Sequence, residues 1–459
     1  MAKIKSSGAQ SFKRLKFRSL LGSDPSISTT TTTNHNEKHD HDHIYNRRIS
    51  NASIESSFHG DESVDETDST VSSNSPHPMS PWIPSSPFKK SPWILAPGFV
   101  PSSDEYPWYG LIGSLVREEG HVYSLAASGG LLYTGSESKN IRVWKNMEEF
   151  SGFKSSSGFV KAVVISGNKI FTGHQDGKIR VWKYSPNKSG SNPYKRVGGL
   201  PRTKDYIMTS FNPKNYVQVR RRRRIPWIKH FDAISCLSLD ESQGLLYSGS
   251  WDKTMKVWRI SDSKCLESIN AHDDAINSLA AGYRGFVFTG SADGTVKIWR
   301  RELIGNVSKH VLIRILVKQE SAVTAIAVNP LTRIVYCGSS DGLVKFWEAD
   351  KQYFSMGGIL RGHKMAVLCL AVSGNLIFSG SADKSICVWR RDNGGGRDHS
   401  CLTVLTGHDG PVKCLAIEED DRENGDRTVY SGSLDKSVKV WRVSDRKVCF
   451  DDNSFRQSV

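Results

Sequence analysis

The sequence predicts an all-β fold, a seven-bladed β-propeller preceded by a disordered N-terminal region. A twelve-residue pattern, seen as YSGSWDKTMKVW at residues 247–258, recurs seven times. Each copy has the turn and the alternation of an antiparallel hairpin, and most copies end 38 to 52 residues apart. The tryptophans that end the seven copies are Trp144, Trp182, Trp258, Trp299, Trp347, Trp389 and Trp441.

Each copy consists of an apolar run, a Gly-Ser pair, a tight Asp-Gly or Asp-Lys turn and an alternating strand such as VKIW. Turn residues that tolerate positive φ, flanked by period-two alternation, are typical of antiparallel hairpins. Four short strands in each of seven repeats predict a propeller whose radial sheets bury their faces against their neighbours. The stretch GLIGSLV, residues 110–116, precedes the first blade, and we predict that it pairs with the seventh blade to close the ring.

Composition divides the chain into two regions. Residues 1–105 are rich in Ser, Thr, Asn, Asp and Pro and lack periodicity. They cannot bury enough apolar surface to offset their ordering entropy, so we predict that they are disordered. Residues 106–459 form the predicted propeller. The 76 residues between Trp182 and Trp258 contain no further copy, which indicates a basic insertion at about residues 186–226.

The repeats resemble the WD-repeat family of β-propellers, in which a His, a Ser or Thr, the turn Asp and a third-strand Trp form a hydrogen-bonded chain within each blade. The resemblance implies four complete chains, formed by His230, Ser248, Asp252 and Trp258; His272, Thr289, Asp293 and Trp299; His363, Ser379, Asp383 and Trp389; and His408, Ser431, Asp435 and Trp441. In the other three blades Glu118, Ser156 and Gln319 occupy the His position. We expect packing rather than a polar chain to hold those blades.

The chain carries no sequence signature of catalysis, so we expect no enzyme activity, no cofactor and no metal site. The stretch GSSDG, residues 338–342, fits G-x-S-x-G but falls in a hairpin turn instead of a strand-to-helix elbow. No phosphate-binding loop, HExxH or CxxC is present in the sequence. His, Ser and Asp recur once per blade, which is typical of structural bonding rather than of one catalytic centre.

The sequence has neither an apolar run of membrane-spanning length nor a signal peptide. Its eight cysteines all lie beyond residue 230, mostly in apolar strand-like runs, as expected of reduced thiols. We therefore expect a monomeric intracellular protein of the cytoplasm and nucleus, without a transmembrane segment.

The residue before the turn Asp is expected to open onto the top face of a propeller of this family. In the third blade this residue is Trp251, whose large ring has no evident role inside its own blade. We predict that Trp251 anchors a partner peptide; alternatively, it packs under the neighbouring insertion. The candidate partner-binding residues of this face are Trp251, Gln175, His174, Phe159, Glu137 and Leu434.

The predicted insertion contains five consecutive arginines: Arg220, Arg221, Arg222, Arg223 and Arg224. Residues 183–226 hold 12 Lys and Arg against one acidic residue. Such a run is expected at the surface, either as a contact for phosphate groups of nucleic acid or lipid or for an import receptor, or as a solvated loop. No groove-reading motif accompanies the run, which favours import over direct DNA reading.

Four serines near the end of the predicted disordered region each precede a proline: Ser75, Ser80, Ser86 and Ser91. Ser-Pro is the local requirement of proline-directed kinases, and two SPW triplets alternate apolar anchors with prolines. Residues 74–99 are thus predicted to be either a docking segment regulated by phosphorylation or an ordinary proline-rich linker.

These features predict a non-catalytic protein-interaction scaffold that acts as a regulatory adaptor. The segment GGLPRTKDYIMTSFNPKNYVQVRRRRRIPW and the SPW triplets resemble the plant Jingubang group of WD-repeat proteins. That resemblance implies a regulator of pollen germination that contacts transcription regulators. One alternative is a propeller that binds phosphoinositide or nucleic acid through the arginine run. Another is a ubiquitin-ligase substrate receptor, although no third-strand Trp is followed by the Asp of its usual docking signature.

Overall fold

A computed structural model describes residues 109–116, 119–186, 192–220, 222–305, 307–350, 353–392, 398–419 and 426–444. The region predicted to be disordered, residues 1–105, lies outside the described residues, as do the four Ser-Pro sites within it.

These residues form seven antiparallel four-stranded sheets, the blades. The first three blades contain β2 (Val122–Ser128), β3 (Leu131–Ser136), β4 (Asn140–Lys145) and β5 (Glu148–Lys154); β6 (Val160–Ser166), β7 (Lys169–His174), β8 (Ile179–Tyr184) and β9 (Tyr194–Leu200); and β12 (Ile234–Asp240), β13 (Leu245–Ser250), β14 (Thr254–Arg259) and β15 (Cys265–Asn270). The next three contain β16 (Ile276–Ala281), β17 (Phe286–Ser291), β18 (Thr295–Ile304) and β19 (Val307–Lys318); β20 (Val323–Asn329), β21 (Ile334–Ser339), β22 (Leu343–Asp350) and β23 (Tyr353–Arg361); and β24 (Val367–Ser373), β25 (Leu376–Ser381), β26 (Ile386–Arg391) and β27 (His399–Leu405). The seventh contains β28 (Val412–Glu419), β29 (Asp426–Ser433), β30 (Ser437–Ser444) and β1 (Tyr109–Val116).

The ring closes through the seventh blade. Its outermost strand is β1, which pairs antiparallel with β30 from Tyr109 opposite Val443 to Val116 opposite Ser437. The first residues of the described chain thus complete the sheet formed by the last ones. This pairing confirms the predicted seven-bladed fold and the predicted role of residues 110–116.

The core lies between neighbouring blades, where the apolar faces of adjacent sheets pack together. Between the first and second blades, for example, Ile141 and Phe153 pack with Val160 and Ile170. Burying one aliphatic or aromatic side chain of this size contributes about 1.5–3 kcal/mol. Because each sheet buries both faces in this way, no blade has a complete core of its own.

A hydrogen-bonded chain ties the third blade together across its strands. The Trp258 indole Nε1 donates to Ser248 Oγ at 2.9 Å, and that oxygen lies 2.9 Å from His230 Nε2. The other imidazole nitrogen, His230 Nδ1, lies 2.8 Å from Asp252 Oδ2. All four side chains are buried, so the chain satisfies polar groups that would otherwise destabilise the interior.

The same chain occurs in the fourth, sixth and seventh blades. Its His–Asp distances are 3.0, 3.0 and 2.7 Å, for His272–Asp293, His363–Asp383 and His408–Asp435 respectively. Burial raises the pKa of Asp435, but hydrogen bonds from Ser437 and His408 outweigh burial and lower that pKa to about 2. The turn carboxylates therefore remain charged acceptors in the folded protein.

The second blade completes its polar chain with a histidine from a different position. Trp182 Nε1 donates to Thr172 Oγ1 at 3.0 Å, and Thr172 Oγ1 lies 2.8 Å from His174 Nε2. The His174 side chain is fully buried. The prediction that His174 belongs to the exposed partner-binding face is therefore wrong: it sits inside its own blade. At the missing His position, Ser156 accepts a hydrogen bond from the buried guanidinium of Arg180.

The first and fifth blades also replace the missing histidine with other polar groups. In the first blade, Glu119 accepts hydrogen bonds from Asn140 and Arg142, both at 2.9 Å; Glu118 itself lies outside the described residues. In the fifth, Gln319 Nε2 donates to Ser339 Oγ at 2.7 Å. Substitute polar contacts, and not packing alone, thus hold the three incomplete blades.

The insertion is shorter than the sequence indicates. The predicted range of about 186–226 includes β9, which is the outermost strand of the second blade. The extra segment begins at Pro201 and contains an α-helix, α1 (Thr203–Ser210), a 3-10 turn (Pro213–Asn215) and a two-stranded hairpin of β10 (Tyr216–Arg220) and β11 (Arg223–Pro226). The spacing of tryptophans cannot separate β9 from the insertion, because β9 lacks the repeat pattern.

Replacing Asp252 with Asn is expected to lower the free energy of unfolding by about 1–3 kcal/mol, because the buried His230 loses its charged acceptor. Denaturant unfolding measures this change. The matched control is Asp341→Asn in the fifth blade, where the carboxylate is exposed and accepts from the Leu343 amide in the same turn. We expect a change of about 0.5 kcal/mol or less there. Equal losses in both variants would show that the turn, and not the histidine chain, carries the effect.

Acid is expected to destabilise the fold through His174. Burial and then the nearby charge of Arg180 lower the pKa of His174 to about 3, whereas the unfolded side chain titrates near its ordinary value of 6.5. Below pH 6.5 the unfolded chain therefore binds the proton more readily, and stability falls as the pH falls toward 3. Between pH 6.5 and 5, His174→Gln should lose about 2 kcal/mol less unfolding free energy than the wild type. Identical losses in the two proteins would contradict a neutral, buried His174.

Candidate partner-binding face

The turns between the second and third strands of the blades lie at one end of the ring, which we call the top face. Register places the starts of the first strands at the same end, since Val160 pairs with His174 and Ile234 with Ser250. First strands of neighbouring blades contact one another around the centre. The top face therefore brings together turn residues of one blade and first-strand residues of the next.

The central feature of this face is an ammonium group among three aromatic rings. Lys161 Nζ lies 4.3 Å from the centroid of Tyr123, 5.0 Å from that of Trp251 and 5.6 Å from that of Phe159. These rings come from the first, third and second blades, so the group spans three blades. We call these four residues the Lys161 cluster. Each cation–π contact of this kind contributes about 0.5–1 kcal/mol at an exposed site.

Hydrogen bonds fix the side of the cluster that belongs to the first blade. The Tyr123 hydroxyl donates to Glu137 Oε1 at 3.2 Å, and His121 Nδ1 lies 2.8 Å from the same oxygen. Burial, together with the charge of Glu137, raises the pKa of Tyr123, which keeps the hydroxyl protonated as a donor. The ring of Tyr123 is thus held in place under the ammonium of Lys161.

Phe159 reaches the cluster through an unusual backbone conformation. Its φ is +53°, in the left-handed region that a bulky side chain rarely occupies. Its backbone N–H donates to the carbonyl of Glu137 at 3.0 Å. A conformation of this kind costs about 1–3 kcal/mol and is typical of binding sites.

The structure places the predicted face residues at different distances from this cluster. Trp251 and Phe159 belong to it, and Glu137 supports it through Tyr123. Gln175 and Leu434 are half-buried in the turns of the second and seventh blades.

Sequence reasoning missed Lys161 and Tyr123, because both stand in first strands, where the repeat pattern marks no special position. The indole ring of Trp251 contacts the ammonium of Lys161. At the base of the insertion, Ile228 packs into the core beside Trp258.

The arginine run forms the tip of the β10–β11 hairpin. Arg222, Arg223 and Arg224 are exposed, and Arg220 pairs directly across from Arg223. Arg221 lies outside the described residues. The hairpin therefore carries three exposed cations near its tip.

In the part of the chain that the structure describes, no helix is long and apolar enough to cross a bilayer, and α1 has only eight residues. Over the same residues, no group of three or more His, Cys, Asp or Glu side chains is placed to hold a metal ion.

Comparison with known protein families gives six matches to the WD40 model, described as the WD domain, G-beta repeat. The matched segments are residues 113–145, 224–259, 263–300, 310–348, 355–390 and 399–442. The second blade lies outside these segments, in agreement with its different polar chain.

Curated relatives match only part of the chain. The nuclear distribution protein nudF 1 of Talaromyces marneffei is 28% identical over 220 residues, which is 48% of this chain and 41% of that protein. The zinc finger CCCH domain-containing protein 62 of Arabidopsis thaliana is 27% identical over 216 residues, 47% of this chain and 38% of that protein. The cell division control protein 4 of Saccharomyces cerevisiae is 27% identical over 203 residues, 44% of this chain and 22% of that protein. The chain thus spans less than half the length of each of these relatives.

Three observations agree with one another: the six matched repeats, the seven four-stranded sheets, and the closing strand supplied by the start of the described chain. The chain is a WD40-repeat protein.

Proposed function

We propose that this protein is a non-catalytic regulatory adaptor that holds a peptide segment of a partner protein on its top face, at the Lys161 cluster. WD40 propellers generally serve as interaction scaffolds. The observation that supports this site is the group of three rings, from three blades, around one ammonium.

The cluster has the physical properties of a binding anchor. Its rings stand on the strands and turns of three packed blades. Because their positions are already fixed, binding of a partner immobilises few further side chains and loses little conformational entropy. Large aromatic side chains dominate binding energy at interfaces, and truncating one often costs about 2 kcal/mol or more. The ammonium of Lys161 favours a partner segment with an acidic side chain beside an apolar one.

The resemblance to the Jingubang group extends this proposal. It suggests transcription regulators as partners and activity in the cytoplasm and nucleus. In this proposal phosphorylation of Ser75, Ser80, Ser86 or Ser91 regulates docking of the partner. Those four serines lie outside the described residues.

Trp251→Ala and, separately, Lys161→Gln are expected to remove the same set of partner proteins from the products of proximity labelling. A peptide from a partner found in this way should then bind each variant more weakly. For Trp251→Ala we expect about 30-fold weaker binding, the equivalent of about 2 kcal/mol. Fluorescence anisotropy with the purified protein and the labelled peptide measures this change.

The matched control is Ser340→Ala, which changes the residue before the turn Asp in the fifth blade. This variant should retain the partners and the affinity of the wild type, and all three variants should melt cooperatively. Unchanged labelling by Trp251→Ala would overturn the proposed site. Equal losses in Ser340→Ala would place the contact across the whole top face instead of at the cluster.

A further inference from the structure

The insertion, residues 201–228, exposes large apolar side chains. Phe211 is 79% exposed and Met208 66%, and their neighbour Ile207 is also exposed. No residue of α1 is buried. Soluble proteins seldom leave several large apolar side chains together at the surface unless they contact another molecule or a membrane.

This exposure does not result from a loose segment. Asn215 Nδ2 donates to the carbonyl of Thr209 at 3.1 Å, and the Tyr216 hydroxyl donates to the carbonyl of Ser210 at 3.2 Å. These bonds tie the end of α1 to the start of the β10–β11 hairpin. Both ends of the insertion are anchored, since Leu200 and Ile228 are buried in the core between the second and third blades. The insertion therefore holds these apolar side chains in fixed positions at the surface.

The insertion is also strongly basic. Residues 201–228 contain eight Lys and Arg against one acid, Asp205, and the carboxylate of Asp205 is already paired with Arg202 at 2.8 Å. The exposed Arg222, Arg223 and Arg224 lie on the hairpin beside α1. Exposed apolar side chains next to uncompensated arginines match the interface of an anionic lipid bilayer, where rings enter the headgroup region and guanidinium groups bind phosphate.

We propose that the insertion docks the propeller on an anionic membrane surface. Met208 and Phe211 enter the interfacial region, and the hairpin arginines bind lipid phosphates. A nucleic-acid duplex would also attract the arginines, but its bases are stacked inside the helix and offer little contact to the apolar side chains.

Co-sedimentation of the full chain with vesicles tests this docking. We expect binding to vesicles that contain phosphatidylserine, weak binding to phosphatidylcholine alone, and weaker binding as salt rises. Arg222→Gln/Arg223→Gln/Arg224→Gln should bind about a hundredfold more weakly, since each cation near an anionic bilayer contributes about 1 kcal/mol. Met208→Ser/Phe211→Ser keeps the charge and should bind about tenfold more weakly or less.

The matched control is Arg361→Gln/Lys364→Gln/Lys384→Gln, which removes three exposed cations away from the insertion and should bind as the wild type does. Equal weakening in this control would show that net charge alone drives binding and would overturn the proposal. Tight binding to duplex DNA that survives Met208→Ser/Phe211→Ser, without vesicle binding, would overturn it in favour of nucleic acid. Trp251→Ala should retain vesicle binding, which separates this proposal from the top-face function.

Discussion

The pairing of β1 with β30 is the constraint on which the rest of the structure depends. Each blade buries its two faces only because a neighbour stands on either side, and the seventh and first blades become neighbours only when the ring closes. The polar chains from Trp to Asp act within blades that closure has already buried. Packing of the first three blades against one another brings Tyr123, Lys161 and Trp251 to one place on the top face.

The overall architecture could be predicted from the sequence because its signals are local and repeated. The turn Asp, the third-strand Trp and the alternation between them occupy fixed offsets, so seven copies reinforce one prediction. The closing strand was also predictable, since GLIGSLV precedes the first blade with no sheet of its own. The fold class, the blade count and the closure therefore followed from pattern alone.

The candidate site was predicted only in part, because it depends on contacts between blades. Trp251 stood out through its position in the repeat, but Lys161 and Tyr123 occupy unremarkable places in first strands. His174 was misplaced for a related reason: it stands beside Gln175 at the turn, where the other blades carry a serine, whereas the second blade lacks the usual histidine and takes His174 inward to Thr172. Substitution of one polar partner by another leaves no periodic signal in a single sequence.

The antiparallel sense of the closing pair also has a mechanical consequence. Tyr109 and Val443 are direct partners, so the two ends of the described chain leave the ring side by side. Tension that separates these ends loads the hydrogen bonds of β1 and β30 one after another, as in a zipper, instead of all at once in shear. The seam of the propeller is therefore its weakest point under force, and a pull between its flanking segments would separate β1 from the seventh blade before the other six blades unfold.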